Sequence, residues 1–184
     1  MSYCTAVRGR LSDAWNREYH DTEYGFPILT DSELFERLML EINQAGLSWL
    51  TILKKREGFR TAYAGFDVAT VGAFQEKDRE RLLADASIIR NRLKVDAAIH
   101  NAQVVLGLVQ QHASFGAWLD AAHPLSLEDW GKLFKKTFRF TGGEIVREFL
   151  LSTGYLPGAH DEDCPVYHRV MTLKPAWTRT GPKH

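Results

Sequence analysis

Between Thr30 and Gly154, apolar residues recur every three or four positions, the period of a helix with one buried face. The run "TDSELFERLMLEINQAG" opens at Thr30 with Glu33 three residues on, a capping-box signature. Leu34, Leu38 and Ala45 then share a face, and Gly46 offers a C-terminal stop. "SWLTILKKRE" (48–57) predicts a second helix behind a serine cap, and "FDVATVGAF" (66–74) a short one capped by Asp67. Residues 76–111 predict helix, tight turn, helix, with Ala98, Ala102, Val105 and Val109 along one face of the second. "SFGAWLDAA" (114–122), "SLEDWGKLFKK" (126–136) and "GEIVREFLLSTG" (143–154) predict three more. No segment alternates convincingly with the period of a strand, and no repeat is found. From about Tyr155 the chain reads as loop, punctuated by Pro157, Pro165, Pro175 and Pro182. The pattern predicts one all-α domain over residues 1–184 with irregular ends.

Glu41 breaks this pattern. It falls on the apolar face of the first long helix, in the column of Leu34, Leu38 and Ala45. An ionised carboxylate at the edge of a core is costly unless something compensates it. One reading is structural: Glu41 accepts backbone N–H groups from the turn at Gly46–Ser48, or pairs with a basic side chain. The other is functional. Trp49 opens the next helix, and Tyr19 and Tyr24 lie upstream in "EYHDTEYGF". Aromatics beside a carboxylate form a site for a flat ring that is cationic or donates hydrogen bonds.

Composition narrows the class. With 184 residues, 45% hydrophobic and 11% aromatic, the chain can build a sizeable core. No apolar run is long enough to cross a membrane, and "MSYCTAVRGR" does not read as a secretory leader. Two cysteines do not make a disulfide scaffold, so a reducing, cytoplasmic setting is expected. A formal net charge of zero argues against a general nucleic-acid coat protein. Basic residues nevertheless cluster at "LKKREGFR" (53–60), "IIRNRLK" (88–94) and "KLFKKTFR" (132–139). Each alone reads as a solvated helix face; together they allow an asymmetric, DNA-facing surface.

The cysteines are paired with histidines at opposite ends of the chain. Cys4 and His20 lie near the N-terminus, and His160 and Cys164, in "HDEDC", near the C-terminus. Two thiolates and two neutral imidazoles form a closed tetrahedral zinc set. The spacing matches no standard zinc finger, and His100, His112, His123, His168 and His184 are also available. On spacing alone, a metal site and two incidental thiols both stay open.

"YHDTEYGFP" followed by "LEINQAGLSWLTILKKREGFRTAYAGFD" resembles the 3-methyladenine DNA glycosylase I family. The likeness continues through "RLLADASIIRNRLKVDAAIHNA" and "KKTFRFTGGEIVREFLLSTG" to "HDEDC". It implies a helix–hairpin–helix DNA glycosylase fold that hydrolyses the N-glycosidic bond of 3-methyladenine in alkylated double-stranded DNA, without a lyase step. It also implies one structural zinc per chain on Cys4, His20, His160 and Cys164. It places the catalytic, base-reading carboxylate at Glu41 and base-stacking rings at Tyr19 and Trp49. The hairpin at 76–111 would hold the DNA backbone through Ser87, Arg90, Arg92 and Lys94. A monomer with no membrane association is expected.

The chain departs from the family pattern at several points. Ala6 stands where a tryptophan is usual, Asn16 where a tyrosine is, and Tyr24 where a tryptophan is. Ser87 replaces a hairpin glycine, Gly143-Glu144 a threonine-rich helix start, and Arg147 a tyrosine. These departures leave two other readings: a damage-binding protein of the same fold without catalysis, and a glycosylase for another alkylated base. A helical domain with incidental thiols and no DNA role is a third.

Overall fold

The computed structural model describes residues 2–9 and 13–179; Pro182 and His184 of the tail lie outside them. The described residues contain helices and no strand. In chain order they are α1 (Tyr3–Arg8), α2 (Ala14–Thr22), α3 (Asp31–Gln44), α4 (Trp49–Ala62), α5 (Val68–Gly72), α6 (Glu76–Ala84), α7 (Arg92–His112), α8 (Phe115–Ala122), α9 (Leu127–Thr137), α10 (Gly143–Ser152) and α11 (Pro165–Thr172). Short 3₁₀ turns lie at Ala64–Phe66 and Ala176–Thr178. No described helix is long and apolar enough to cross a membrane.

Side-chain caps start the helices where the sequence places them. Ser48, Asp67, Ser114 and Ser126 each accept a backbone N–H from the first turn of α4, α5, α8 and α9. The box at α3 forms in half. Thr30 Oγ1 accepts from the Glu33 N–H at 3.3 Å, while the Glu33 carboxylate takes the Thr30 hydroxyl at 2.7 Å. A full box would use the Thr30 backbone N–H instead.

The chain ends correct the sequence expectation, because they are helical rather than irregular. Ser2 caps α1 and Asp13 caps α2. Pro165, which reads as a loop residue, is the first residue of α11, where its missing N–H costs nothing and its fixed φ suits the helix. α2 buries Asn16, Tyr19 and His20, a polar face that no hydrophobic period reveals.

α3 runs through the core, with Leu34, Phe35, Leu38 and Ile42 buried. The same core contains Ala98, Ala102 and Val105 of α7, and Phe115, Phe134 and Phe149 of α8, α9 and α10. Removing each of these phenylalanine rings from water stabilises the fold by about 1.5–3 kcal/mol. A smaller cluster of Tyr19, Tyr24, Leu53, Leu151 and Ala159 forms the base of a cleft. A third gathers Cys4, Cys164, Val166 and Val170 where the two chain ends meet.

Close approaches fix two of these relations. Gly25 has φ +81°, and a Cβ there would lie 2.8 Å from the Ala159 Cβ, so only glycine lets the Tyr24 segment lie against His160. A Cβ on Gly58 of α4 would lie 2.6 Å from the Ser87 carbonyl oxygen. The α6–α7 turn is therefore seated directly on α4, where Lys55 Nζ also donates to the Ala86 carbonyl at 2.8 Å.

Candidate functional site

The cleft of about 370 Å³ is lined by α1, α2, α3, α4 and α10, and Glu41 is part of its wall. Glu41 is 4% exposed. The structural reading, in which turn amides or a basic side chain satisfy it, does not describe it. The Ser48 hydroxyl instead caps α4, and Arg37, one turn before Glu41, commits its guanidinium to the Ser152 carbonyl and to Glu23. Burial pushes the Glu41 carboxyl up to about 8; Arg37 opposes this, and the carboxylates of Glu148 and Glu144 reinforce it.

Around Glu41 stands an aromatic wall. Tyr19 and Trp49 have ring centroids 5.1 Å apart, and Arg37 sits over the Tyr19 ring at 4.9 Å. Tyr3 and Tyr24 meet edge to face at 4.9 Å. The Tyr19 hydroxyl and the Trp49 indole N–H are buried without a protein hydrogen-bond partner. Unpaired buried donors of this kind are costly, and two beside one carboxylate suit a polar ligand that enters the cleft.

Tyr24, a candidate from the sequence beside Tyr19, lines this wall, and Tyr3 completes it as a ring the sequence does not single out. Asn16, where the family pattern has an aromatic, is fully buried and positions Tyr3. Its Oδ1 accepts the Tyr3 hydroxyl at 2.9 Å, and its Nδ2 donates to Asp13 at 2.8 Å. The sequence signal was present in "SYC" beside a metal-ligand candidate, but nothing local aims that ring at Tyr19. α10 adds Glu144, Arg147, Glu148 and Leu151 to the lining.

Cys4, His20, His160 and Cys164 come together, all buried, with their ligating atoms within 4.8 Å of one another. Cys4 Sγ lies 3.2 Å from His20 Nε2 and 3.5 Å from His160 Nδ1, and Cys164 Sγ lies 3.9 Å from His20 Nε2. A tetrahedral zinc ion with bonds of about 2.0–2.3 Å needs ligand separations of about 3.3–3.8 Å, so the donor set fits. The outward ring nitrogens are fixed as well. His160 Nε2 donates to the Tyr24 carbonyl at 2.6 Å, and His20 Nδ1 to Asp21 at 2.7 Å. Each bond leaves the other nitrogen as a lone pair facing the cluster. The group can therefore hold a metal ion. Two acidic residues of "HDEDC" meet α1 and its cap: Asp161 accepts the Ser2 hydroxyl at 2.5 Å, and Asp163 lies 3.7 Å from Arg8.

The α6–α7 turn separates the expected DNA contacts. Arg90 is exposed, and Arg92 is exposed with Glu76 at 3.4 Å. Ser87 and Lys94 are corrections. The Ser87 amide and hydroxyl both donate to Asp85 Oδ1, at 2.8 and 2.6 Å, so neither is free for a phosphate. Lys94 is 5% exposed and donates to the Asn43 and Ala45 carbonyls, both at 2.8 Å, at the C-terminal end of α3. Its ammonium satisfies orphan helix carbonyls and does not face solvent.

The comparisons with known proteins point to one family. The methyladenine glycosylase family profile matches residues 10–126. The chain is 50% identical over 97 residues to DNA-3-methyladenine glycosylase 1 of Escherichia coli, a match covering 53% of this chain and about half (52%) of that relative. It is 32% identical over 167 residues to DNA-3-methyladenine glycosylase of Haemophilus influenzae, covering 80% of this chain and 90% of that one. Its fold is similar to 3-methyladenine DNA glycosylase I of Staphylococcus aureus, solved to explain 3-methyladenine recognition. The TM-score is 0.76 and the identity 31%, over 84% of this chain and 92% of that one. The all-helical fold is matched over most of its length, which defines the class of helical protein to which the chain is similar. The chain belongs to the methyladenine glycosylase family.

Proposed function

We propose that the protein is a monofunctional DNA glycosylase that releases 3-methyladenine from alkylated double-stranded DNA. The observation that carries this reading is Glu41, a buried carboxylate in a cleft beside the unpartnered Trp49 N–H and Tyr19 hydroxyl. A base inside a duplex is out of reach, so it is flipped into the cleft, at a cost of a few kcal/mol that is smaller for a damaged pair. Trp49 and Tyr19 stack on the ring, and each such contact is worth about 1–3 kcal/mol. The N3-alkylated adenine is cationic while attached to the sugar, so the glycosidic bond breaks without a strong acid. Glu41 hydrogen-bonds the base edge and favours its positive charge, and water captures the oxocarbenium-like sugar. The described lining of the cleft contains no lysine, which supports hydrolysis over a Schiff-base route.

The α6–turn–α7 unit is the DNA-anchoring hairpin of a helix–hairpin–helix fold, with Arg90 and Arg92 on the phosphate backbone. Residues 1–184 form one domain, closed by a structural zinc on Cys4, His20, His160 and Cys164. Four protein ligands leave no open position for a water, so the ion holds structure and takes no part in bond cleavage.

Incubation with methylated duplex DNA, followed by chromatography of the released bases, tests this. Free 3-methyladenine from the protein, and none from Glu41→Gln, is expected. Tight binding of abasic DNA without any base release would instead establish a damage-binding protein.

A further inference from the structure

The cleft carries more negative charge than one recognition carboxylate explains. α10 lines it with Glu144, Arg147, Glu148 and Leu151, the i, i+3, i+4 and i+7 positions of one helix face. Glu148 is the most enclosed of the three charged groups, with its side chain 29% exposed against 79% for Glu144 and 46% for Arg147. Its two oxygens are held from different sides. Oε2 accepts the Tyr24 hydroxyl at 3.1 Å, and Oε1 accepts Arg147 Nη1 at 2.5 Å. Tyr24 belongs to the aromatic wall, so Glu148 is bonded into the site and is not a free surface acid. The Tyr19 hydroxyl and Trp49 N–H, buried and unpartnered in the same cleft, point independently to a ligand there. Among the lining residues, three carboxylates, Glu41, Glu144 and Glu148, face one cation, Arg147.

Resting on the glycosylase reading, we propose that Glu148 is a second recognition carboxylate that restricts this cleft to bases carrying a positive charge. A neutral and a cationic purine of similar shape stack on Trp49 and Tyr19 about equally. They differ by a whole charge in their interaction with carboxylates in a partly water-excluded cleft. Glu41, once ionised, supplies one such charge from α3, and Glu148 supplies another from α10. The Tyr24 hydroxyl orients Glu148 without cancelling its charge. Arg147 moderates it from the more exposed side.

The test is fluorescence titration of the full chain with 3,9-dimethyladeninium, a permanent cation, and with neutral 9-methyladenine. Glu148→Gln keeps the shape and a partner for Tyr24 but loses the charge; it should weaken the cation about tenfold and the neutral base less than about twofold. Arg147→Gln removes the moderating cation and should tighten the cationic ligand. Opposite signs from adjacent residues separate a charge effect from local unfolding. A third readout is the pH midpoint of cation binding. Besides the burial of Glu41, Arg37 holds it down and Glu148 and Glu144 hold it up, with Tyr3, Tyr19, Tyr24 and Arg147 also lining the cleft, and Glu148→Gln should move it down. Equal weakening of both ligands, or no change in either, overturns the proposal. Failure of the glycosylase reading is distinguishable: no 3-methyladenine would be released from methylated DNA, yet the cation preference and its loss in Glu148→Gln would still be measured.

Discussion

Glu41 meets two opposed demands. The folded protein needs it buried beside Tyr19 and Trp49, yet burial favours its neutral form and pushes it up to about 8. The free carboxyl titrates near about 4.3. The folded state therefore binds the proton more tightly than the unfolded chain does. Any contribution of this group is complete below pH 4.3 and is lost as pH rises towards 8. Glu41→Gln should accordingly raise Tm, with little gain at pH 5 and the largest, worth a few kcal/mol, at pH 8. Thermal melts across that range check this; a gain independent of pH would refute the assignment of cost to the buried charge. The same substitution should lower base release by about 100-fold or more, since the carboxylate that favours a cationic leaving base is gone. For the unmodified protein, kcat/KM should rise from pH 6 towards a plateau above about 8, as Glu41 ionises. Glu41 was legible in the sequence because one polar residue on an apolar stripe stands out. Glu148 was not, because its own helix gives no sign that it shares a cleft with a residue of α3.

At the scale of elements, α3 and α7 are tied through Lys94. Its ammonium bonds the Asn43 and Ala45 carbonyls and closes the open end of α3 just before the Trp49 turn. Lys94→Met should destabilise the protein by about 2–3 kcal/mol, the worth of charge-assisted bonds to otherwise orphaned carbonyls. It should leave the salt dependence of DNA binding unchanged. Arg90→Ala should do the reverse: stability within about 0.5 kcal/mol, and a log–log salt slope shallower by about one. Denaturant melts and DNA titrations at several salt concentrations separate the two. The sequence presented Arg90, Arg92 and Lys94 as one basic run, because spacing along a helix start does not say which side chain points inward. Threonine, serine and aspartate caps made α3, α4, α5, α8 and α9 readable, since that signal is local. α1, α2 and α11 were missed for the converse reason. The buried faces of α1 and α2 carry Cys4, Asn16 and His20, and Cys164 caps α11, whose buried face has only Val166 and Val170; their burial depends on contacts between residues from the two ends of the chain.

At the scale of the molecule, those contacts join chemistry to stability. Cys4 and Cys164 lie on either side of nearly the whole fold, and the proposed metal shared between them would close a loop containing almost every helix. By the entropy of a closed loop of that length, the crosslink is worth up to about 5 kcal/mol. At about 2–4 °C per kcal/mol for a domain of this size, its loss should lower Tm by about 10–20 °C. The effect should reach the cleft, because Tyr3 is the neighbour of Cys4, Tyr19 is the neighbour of His20, and the His160 ring is anchored on the Tyr24 carbonyl. Cys164→Ser should therefore reduce bound zinc to less than about half an equivalent per chain. It should also weaken binding of cationic bases, although no residue that touches the base has changed. Metal analysis, melting and fluorescence titration on the same preparation decide it. Full zinc loss with unchanged base binding would mean that α1 and α2 hold the aromatic wall without the metal. A parallel loss of both, restored by adding zinc back to chelator-stripped wild-type protein, would place the ion at the head of a rigid path from the chain ends to the cleft.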